Sequence, residues 1–240
     1  MCGRFVLKSS LPEITAFFGI PYVPAPDEPG GRIGTPRYNV APGTKILAVG
    51  QRDGQRTLRP LKWGLVPSWA KDASIANKLV NARAEGVESK PSFRAAIRKR
   101  RVLVPADGWY EWAPARPGER TKRPFFFTRT DGKMAALAGL WEFWRPAGDE
   151  DSEGLRTACL LTTEPNAVAA TVHDRMPVTI DPADWDAWLD PETPLQDVLG
   201  LLRPAPDGVV QAWPVSTAVS RVGNDGPELI ERHEDAPNSA

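Results

Sequence analysis

Proline and glycine are spread along the whole chain, and this distribution limits the folds that the sequence can adopt. The 240 residues include 25 prolines and 20 glycines, which do not cluster in a single linker. Both residue types interrupt regular structure and favour turns. The pattern therefore predicts many short strands that are joined mostly by turns.

Apolar segments between these turns are predicted to be strands. They are Lys45–Val49, Thr57–Leu61, Val102–Val104, Tyr110–Trp112, Phe125–Thr128, Met134–Trp144, Leu155–Thr163 and Val209–Val215. The first two flank Asp53-Gly54, a dipeptide typical of a hairpin turn. Pro105 is predicted to end the strand that begins at Val102, because proline has no backbone N–H.

Four helices are predicted from residues that favour helix starts. Ser10 and Glu13 have the spacing of a capping box, and this helix is expected to end before Gly19. Ser92 is predicted to cap a second helix over Phe93–Arg101, and two more helices are predicted from Asp181 to Leu189 and from Thr193 to Leu202.

The order of these elements indicates the α+β class. There is no regular alternation of strands and helices and no Gly-x-Gly-x-x-Gly segment, so a parallel nucleotide-binding sheet is not expected. We expect largely antiparallel β-sheets in a barrel-like arrangement with peripheral helices. No change in composition divides the chain, which predicts a single domain over residues 1–230 with a flexible tail at 231–240. Residues 21–36 are predicted to be a loop.

Composition excludes several kinds of protein. The 30 basic and 30 acidic side chains give a net charge of zero, so only a local basic patch would attract nucleic acid. Two cysteines do not make a disulfide framework, and two histidines make a structural zinc site unexpected. No apolar run is long enough to span a membrane, and no signal peptide is evident. We expect a cytoplasmic protein without metal or cofactor.

Cys2 becomes the N-terminal residue if Met1 is removed, as is common when a small residue follows the initiator methionine. An α-amine and a thiol then stand on neighbouring carbons, with ordinary pKa values of about 7.7–8.0 and about 8.5. Such an aminothiol condenses with an aldehyde to an imine and closes to a five-membered thiazolidine. The alternative is that Cys2 is simply a small second residue.

Three further segments carry side chains suited to chemistry. Asn81 and Arg83 are two residues apart and share a face if the segment is extended. Glu111 stands among three aromatic residues, which predicts a desolvated carboxyl with a raised pKa. His173 precedes an aspartate and an arginine that would set its tautomer and charge. Each segment alone is also compatible with a purely structural role.

Taken in order, the motifs resemble the SRAP (SOS response-associated peptidase) family. The matching segments are Met1-Cys2-Gly3-Arg4-Phe5, Arg37-Tyr38-Asn39-Val40-Ala41-Pro42-Gly43, Trp63-Gly64-Leu65-Val66-Pro67, Asn81-Ala82-Arg83, Gly108-Trp109-Tyr110-Glu111-Trp112, His173-Asp174-Arg175-Met176-Pro177 and Pro214-Val215-Ser216. They run from residue 1 to about residue 230, and the ordered set is far more specific than any one of its members.

The resemblance implies a protein that crosslinks to abasic sites in single-stranded DNA through a thiazolidine. It also implies that Met1 is first removed autocatalytically. Cys2 is then the nucleophile and Asn81 positions the substrate or the Cys2 amine. Glu111 transfers protons, and His173 contacts the opened sugar or a phosphate. A monomer that associates with the nucleoid at damaged DNA is expected.

Six residues are expected to contact the DNA. Arg4 and Arg83 are predicted to bind phosphates, and Trp69 is predicted to stack on a base. Asn39 and Pro42 belong to a motif that lies at the lesion in the family. Thr162 precedes the His173 segment and is expected to reach a phosphate. The densest basic cluster is formed by Arg94, Arg98, Lys99, Arg100 and Arg101, and a simple exposed helical face is the alternative to a role in DNA binding.

Two other functions are compatible with these residues. A cysteine peptidase acting on other proteins would also use Cys2, His173 and Asn81. A single-strand binder without catalytic activity would bind intact and abasic DNA equally and would tolerate the loss of Cys2.

Overall fold

A computed structural model describes residues 2–21, 34–149 and 151–233. Met1, most of the predicted 21–36 loop, Glu150 and residues 234–240 of the predicted tail lie outside the described residues. No helix in the described ranges is both long enough and apolar enough to span a membrane.

Strands outnumber helices in the described part of the chain. The strands are β1 (Arg4–Leu7), β2 (Arg37–Val40), β3 (Lys45–Arg52), β4 (Gln55–Trp63), β5 (Asn81–Arg83), β6 (Arg101–Ala106), β7 (Gly108–Ala113), β8 (Arg123–Arg129), β9 (Ala135–Trp144), β10 (Leu155–Thr163), β11 (Met176–Pro177) and β12 (Val210–Pro214). The α-helices are α1 (Leu11–Phe18), α2 (Ala96–Lys99), α3 (Ala167–Ala170), α4 (Trp185–Leu189) and α5 (Leu195–Gly200). Short 3-10 helices occupy Ala73–Lys78, Pro182–Asp184, Thr217–Ser220 and Pro227–Ile230.

Five strands close into a barrel. Hydrogen bonding runs from β4 to β3, β6, β9 and β10 in turn, and β10 then pairs with β4. The closing pair is parallel, with Thr157 beside Lys62, whereas the other four pairs are antiparallel. Strands β5 and β11 extend this sheet by pairing with the end of β10. The predicted α+β class and barrel-like arrangement are confirmed.

A second sheet of five antiparallel strands lies against the barrel. Its order is β12-β8-β7-β1-β2, and β1 pairs with β7 so that Phe5 lies opposite Trp109. Phe5 packs on Trp63 of β4 with 5.3 Å between the ring centroids. All three aromatic residues are almost completely buried in one apolar cluster. The main core therefore joins the two sheets and fixes β1 against the barrel.

Local signals account well for the first hairpin and the first helix. Strands β3 and β4 are joined by Asp53 and Gly54, whose φ values of 52° and 74° fit the left-handed turn that favours these residues. Ser10 and Glu13 make both hydrogen bonds of the capping box, and Gly19 ends α1 with φ 61°. Both predictions are confirmed.

The predicted helix over residues 93–101 is wrong in extent. The α-helix covers only Ala96–Lys99, and Arg101 already belongs to β6. The buried guanidinium of Arg101 donates to Ile97 O and Arg98 O, so it closes the helix end instead of continuing the helix. The predicted helix over 193–202 is likewise shorter, at Leu195–Gly200.

Pro105 does not end the strand as predicted. Strand β6 continues to Ala106, and Pro105 lies opposite Ala136 of β9. On its other side, β6 pairs with β3 only at Leu103. That side of β6 is therefore an unpaired edge at Pro105. A proline without an N–H is tolerated at such an edge.

Gly108 at the start of β7 has no room for a side chain. A Cβ there would lie 2.3 Å from Phe127 O and 2.4 Å from the Phe126 ring. We expect Gly108→Ala to lower the free energy of unfolding by about 1–3 kcal/mol or more, because backbone has to move. Urea denaturation measures the change.

The matched control is Gly200→Ala, at the end of α5, where a Cβ meets nothing within 4 Å. It is expected to change stability by less than about 0.5 kcal/mol. Equal effects of the two substitutions would contradict the packing that we describe around β7.

Candidate active site

The backbone of Cys2 is held by a side chain from the barrel sheet. Asn81 Nδ2 donates a hydrogen bond to Cys2 O at 2.8 Å. Asn81 begins β5, which lies beside Leu160 of β10. The predicted extended segment is confirmed, with Ala82 buried and Arg83 exposed. Asn81 Oδ1 is buried and has no hydrogen-bond partner among the described residues.

The Cys2 thiol is fully buried. Its Sγ donates a weak hydrogen bond to Arg4 O at 3.9 Å. Burial, followed by the nearby Glu111 carboxylate, raises the pKa of the Cys2 thiol far above its ordinary value. The thiol is therefore neutral in this site, and a base has to take its proton before sulfur becomes a strong nucleophile.

Glu111 supplies a carboxyl whose pKa suits proton transfer. It is 2% exposed and lies in β7, two residues from the buried Trp109. Burial raises the pKa of Glu111 to about 7, and the charge of Asp174 acts in the same direction. Both protonation states are therefore populated near neutrality, as an effective general acid and base requires. The structure therefore agrees with the raised pKa of Glu111 that was predicted from its aromatic neighbours in the sequence.

His173 faces Glu111 as a neutral imidazole. The Arg175 backbone N–H donates to His173 Nδ1 at 3.0 Å. Nε2 lies 4.0 Å from Glu111 Oε2. Asp174 Oδ1 is 2.9 Å from Nδ1 and favours the charged ring, but Asp174 is 84% exposed and well solvated. Burial is the larger effect and lowers the pKa of His173.

A half-buried arginine joins the two segments that carry Asn81 and His173. Arg175 donates to both carboxylate oxygens of Glu85 at 2.9 and 2.8 Å, and also to Thr162 O. Glu85 follows β5 and Arg175 precedes β11, so this ion pair fixes both segments against β10. Glu85 was not predicted to have a role from the sequence. Arg175 stood in a motif, but its distant partner had no signal in the sequence.

Two of the residues expected at the DNA are engaged inside the protein. Arg4 Nη1 donates to Asn39 Oδ1 and to Val219 O, both at 2.8 Å. Asn39 is buried, and its Nδ2 donates to Val219 O, Arg221 O and Asn224 O. These bonds tie β1 and β2 to residues 219–224. In this structure both side chains act as an internal clamp.

The other four residues expected at the DNA differ in exposure. Trp69 is 58% exposed and donates weakly from Nε1 to Pro91 O at 3.4 Å. Arg83 is exposed, and Pro42 is half-buried in the turn after β2. Thr162 is completely buried, and its hydroxyl lies 3.5 Å from Ala82 O. Trp69 and Arg83 are therefore available to a ligand, whereas Thr162 is packed inside the sheet.

The basic run at residues 94–101 does not form the single exposed helical face that was considered from the sequence. Arg101 is 4% exposed, and its guanidinium donates to backbone carbonyls at the ends of α2 and α4. Arg100 pairs with Glu142 at 2.6 Å, and Lys99 pairs with Glu192 at 2.7 Å. The run mainly joins helices to the barrel.

The fold and the site define a protein in which a cysteine near the N-terminus lies beside an acid, an imidazole and an amide, where a β-barrel meets a second sheet. The chain belongs to the SOS response associated peptidase (SRAP) family, whose model matches residues 1–222. The resemblance found in the motifs is thereby confirmed.

Similar proteins cover nearly the whole chain. It is 39% identical over 237 residues to the abasic site processing protein YoqW of Bacillus subtilis, covering 97% of this chain and 100% of that protein. It is 34% identical to the abasic site processing protein YedK of Escherichia coli, covering 96% and 99%. A solved structure from Bacteroides thetaiotaomicron, 21% identical, superposes with a TM-score of 0.82 over 97% and 100% of the two chains.

The ion pair between Arg175 and Glu85 is expected to stabilise the fold around the site. Arg175→Lys keeps the charge but loses the two-pronged contact, and we expect the free energy of unfolding to fall by about 1–3 kcal/mol. Lys99→Gln, which breaks an exposed ion pair, is the control and should cost about 0.5 kcal/mol or less. Similar losses in urea denaturation would argue against a structural role for Arg175.

The raised pKa of Glu111 predicts a pH-dependent stability. Between an unfolded pKa of about 4.3 and a folded pKa of about 7, the folded protein binds the extra proton, so this group's contribution falls as the pH rises. The stability of Glu111→Gln relative to the unsubstituted protein should therefore increase by up to about 3 kcal/mol from about pH 4 to about pH 8.

Denaturant titrations at several pH values measure this difference. Glu119→Gln, at an exposed position, is the matched control and should show no such trend. A stability difference for Glu111→Gln that is independent of pH would contradict the raised pKa.

Proposed function

We propose that this protein crosslinks covalently to abasic sites in single-stranded DNA, through a thiazolidine formed by Cys2 once Met1 has been removed. The main structural support is that Asn81 holds Cys2 O at 2.8 Å beside the buried carboxyl of Glu111. The names of YoqW and YedK as abasic site processing proteins support the choice of substrate. Shielding of the lesion from strand breakage would follow from the stability of the product.

The first step joins the Cys2 amine to the aldehyde of the ring-opened sugar. The nitrogen lone pair attacks the carbonyl carbon and gives a carbinolamine, which loses water to form an imine. Glu111 in its acid form donates the proton that the departing hydroxyl needs. The buried Asn81 Oδ1 is a suitable acceptor for an N–H of this amine.

The second step closes the ring. The Cys2 sulfur adds to the imine carbon, one C–S bond forms, and the C=N electron pair moves to nitrogen. Glu111, which became a carboxylate when it protonated the departing hydroxyl, takes the thiol proton and returns to its acid form. The nitrogen keeps the proton that it carried in the protonated imine. The order of steps fits a thiol of raised pKa, because the bimolecular encounter uses the amine and the sulfur reacts only intramolecularly.

His173 and the exposed residues have supporting roles in this proposal. His173 Nε2 lies 4.0 Å from Glu111 Oε2 and is placed to contact an oxygen of the opened sugar. Trp69 is the candidate for stacking on a neighbouring base, and Arg83 the candidate for a phosphate. Pro42 lies at the turn after β2, where it would contact the bases around the lesion.

Removal of Met1 is part of the proposal, because it creates the amine. It is assigned to the protein itself, with an external aminopeptidase as the alternative. A general cysteine peptidase is less well supported. Such an enzyme needs a thiol–imidazole pair, whereas Cys2 Sγ bonds to Arg4 O and His173 Nδ1 accepts from Arg175.

The experiment is incubation of the full chain with single-stranded DNA that carries one abasic site, followed by denaturing electrophoresis and intact mass measurement. The unsubstituted protein is expected to lose Met1 and to add the DNA with loss of water. Cys2→Ala should reduce crosslinking at least about a hundredfold. Cys159→Ala, at the other buried cysteine, is the control and should retain it.

A second variant separates the amine from the thiol. Cys2→Ser keeps the amine but has no sulfur to close a stable ring, so any adduct should be an imine that hydrolyses unless borohydride reduces it. A stable adduct with Cys2→Ala, or full activity in protein whose mass shows that Met1 is retained, would disprove the mechanism.

A further inference from the structure

A basic groove at one end of the barrel is separate from the site around Cys2. It has a volume of about 320 Å³, and all five barrel strands contribute to its lining. Arg156 on β10 lines the groove and lies four residues before Leu160, the partner of Asn81. Four residues correspond to about 13 Å along a strand, so the groove and the candidate active site occupy different stretches of β10.

The charge of the groove is one-sided although the chain has no net charge. Arg52, Arg59, Lys99 and Arg156 line it together with the internally bonded Arg101, and none of its lining residues is acidic. Among the described residues, Arg59 and Arg156 have no carboxylate partner. Such guanidinium groups bind phosphate through charged, two-pronged hydrogen bonds.

The rim ion pairs do not neutralise this charge. Arg52 pairs with Asp53 at 3.4 Å and Lys99 pairs with Glu192 at 2.7 Å, and the side chains of both pairs are largely exposed. Exposed pairs of this kind contribute little and exchange readily with another anion. A second cavity of about 410 Å³ provides a contrast, because its Arg129 is held by Asp131 through two hydrogen bonds.

The floor of the groove suits a flat group. The half-buried Trp141 lines it next to the apolar side chains of Leu189 and Pro191. Gln51 also lines the groove and adds an uncharged polar residue beside this apolar surface.

We infer that this groove binds a nucleotide. Its phosphate would contact Arg59 and Arg156, and its base would lie on Trp141. The same chemistry is offered by a free nucleotide and by a nucleotide unit within a nucleic acid strand. The inference does not depend on the crosslinking function proposed for Cys2.

The experiment is isothermal titration of the full chain with adenosine monophosphate, with adenosine and with inorganic pyrophosphate. Adenosine monophosphate should bind at least about tenfold more tightly than either partial ligand, because only the nucleotide combines phosphate and base. Binding of pyrophosphate as tight as that of the nucleotide, or no binding of the nucleotide at about 1 mM, would overturn the inference.

Variants identify the groove as the place of binding. Arg59→Gln with Arg156→Gln should weaken binding of adenosine monophosphate at least about tenfold. Arg94→Gln with Arg98→Gln removes the same charge from exposed positions outside the groove and should leave binding unchanged. Trp141→Leu should weaken binding of the nucleotide but not that of pyrophosphate. Equal losses in the groove and control variants would contradict the inference.

Two further experiments identify the source of the nucleotide and test the two proposals separately. Displacement of adenosine monophosphate by an undamaged single-stranded oligonucleotide supports a strand-binding groove, whereas lack of displacement supports a site for free nucleotides. Crosslinking to abasic DNA should persist in the Arg59→Gln, Arg156→Gln protein, and nucleotide binding should persist in Cys2→Ala. Failure of one proposal is therefore visible without failure of the other.

Discussion

The parallel pairing of β10 with β4 closes the barrel, and the candidate active site is built from the part of β10 that extends beyond this pair. After Ala158, the strand exchanges β4 for β5 on one side and later gains β11. Asn81 and the segment after His173 are thereby positioned by one strand. Arg175 locks this arrangement by bonding to Glu85 and to Thr162 O. The geometry around Cys2 therefore depends on closure of the barrel.

Burial has opposite consequences for the groups in this site. It makes the Cys2 thiol and the Glu111 carboxyl harder to ionise and His173 harder to protonate. At neutral pH the result is an unionised thiol and a neutral imidazole near a carboxyl that is only partly ionised. This arrangement suits a reaction that creates and removes charge in turn, because Glu111 is able to donate a proton in one step and accept one in another.

The sequence predicted features that depend on local patterns better than features that depend on distant partners. The bounds of β10 were predicted correctly, since Leu155–Thr163 is a continuous apolar run between turns. The motifs also indicated Cys2, Asn81, Glu111 and His173, which the structure brings together. The internal roles of Arg4 and Arg101 were not predictable, because their carbonyl acceptors include Val219 and Trp188, far along the chain. An arginine's charge alone suggests a surface position.

The clamp around Arg4 affects when the N-terminal strand takes its final place during synthesis. Strand β1 is made first, but its neighbours β7 and the segment at 219–224 leave the ribosome much later. Contacts between such distant parts of the chain form late and slowly. The nascent chain therefore carries Cys2 in an unfinished environment until almost all of the protein has been made. The burial that tunes the thiol and Glu111 is acquired only after translation is nearly complete, so the reactive arrangement is a property of the finished molecule.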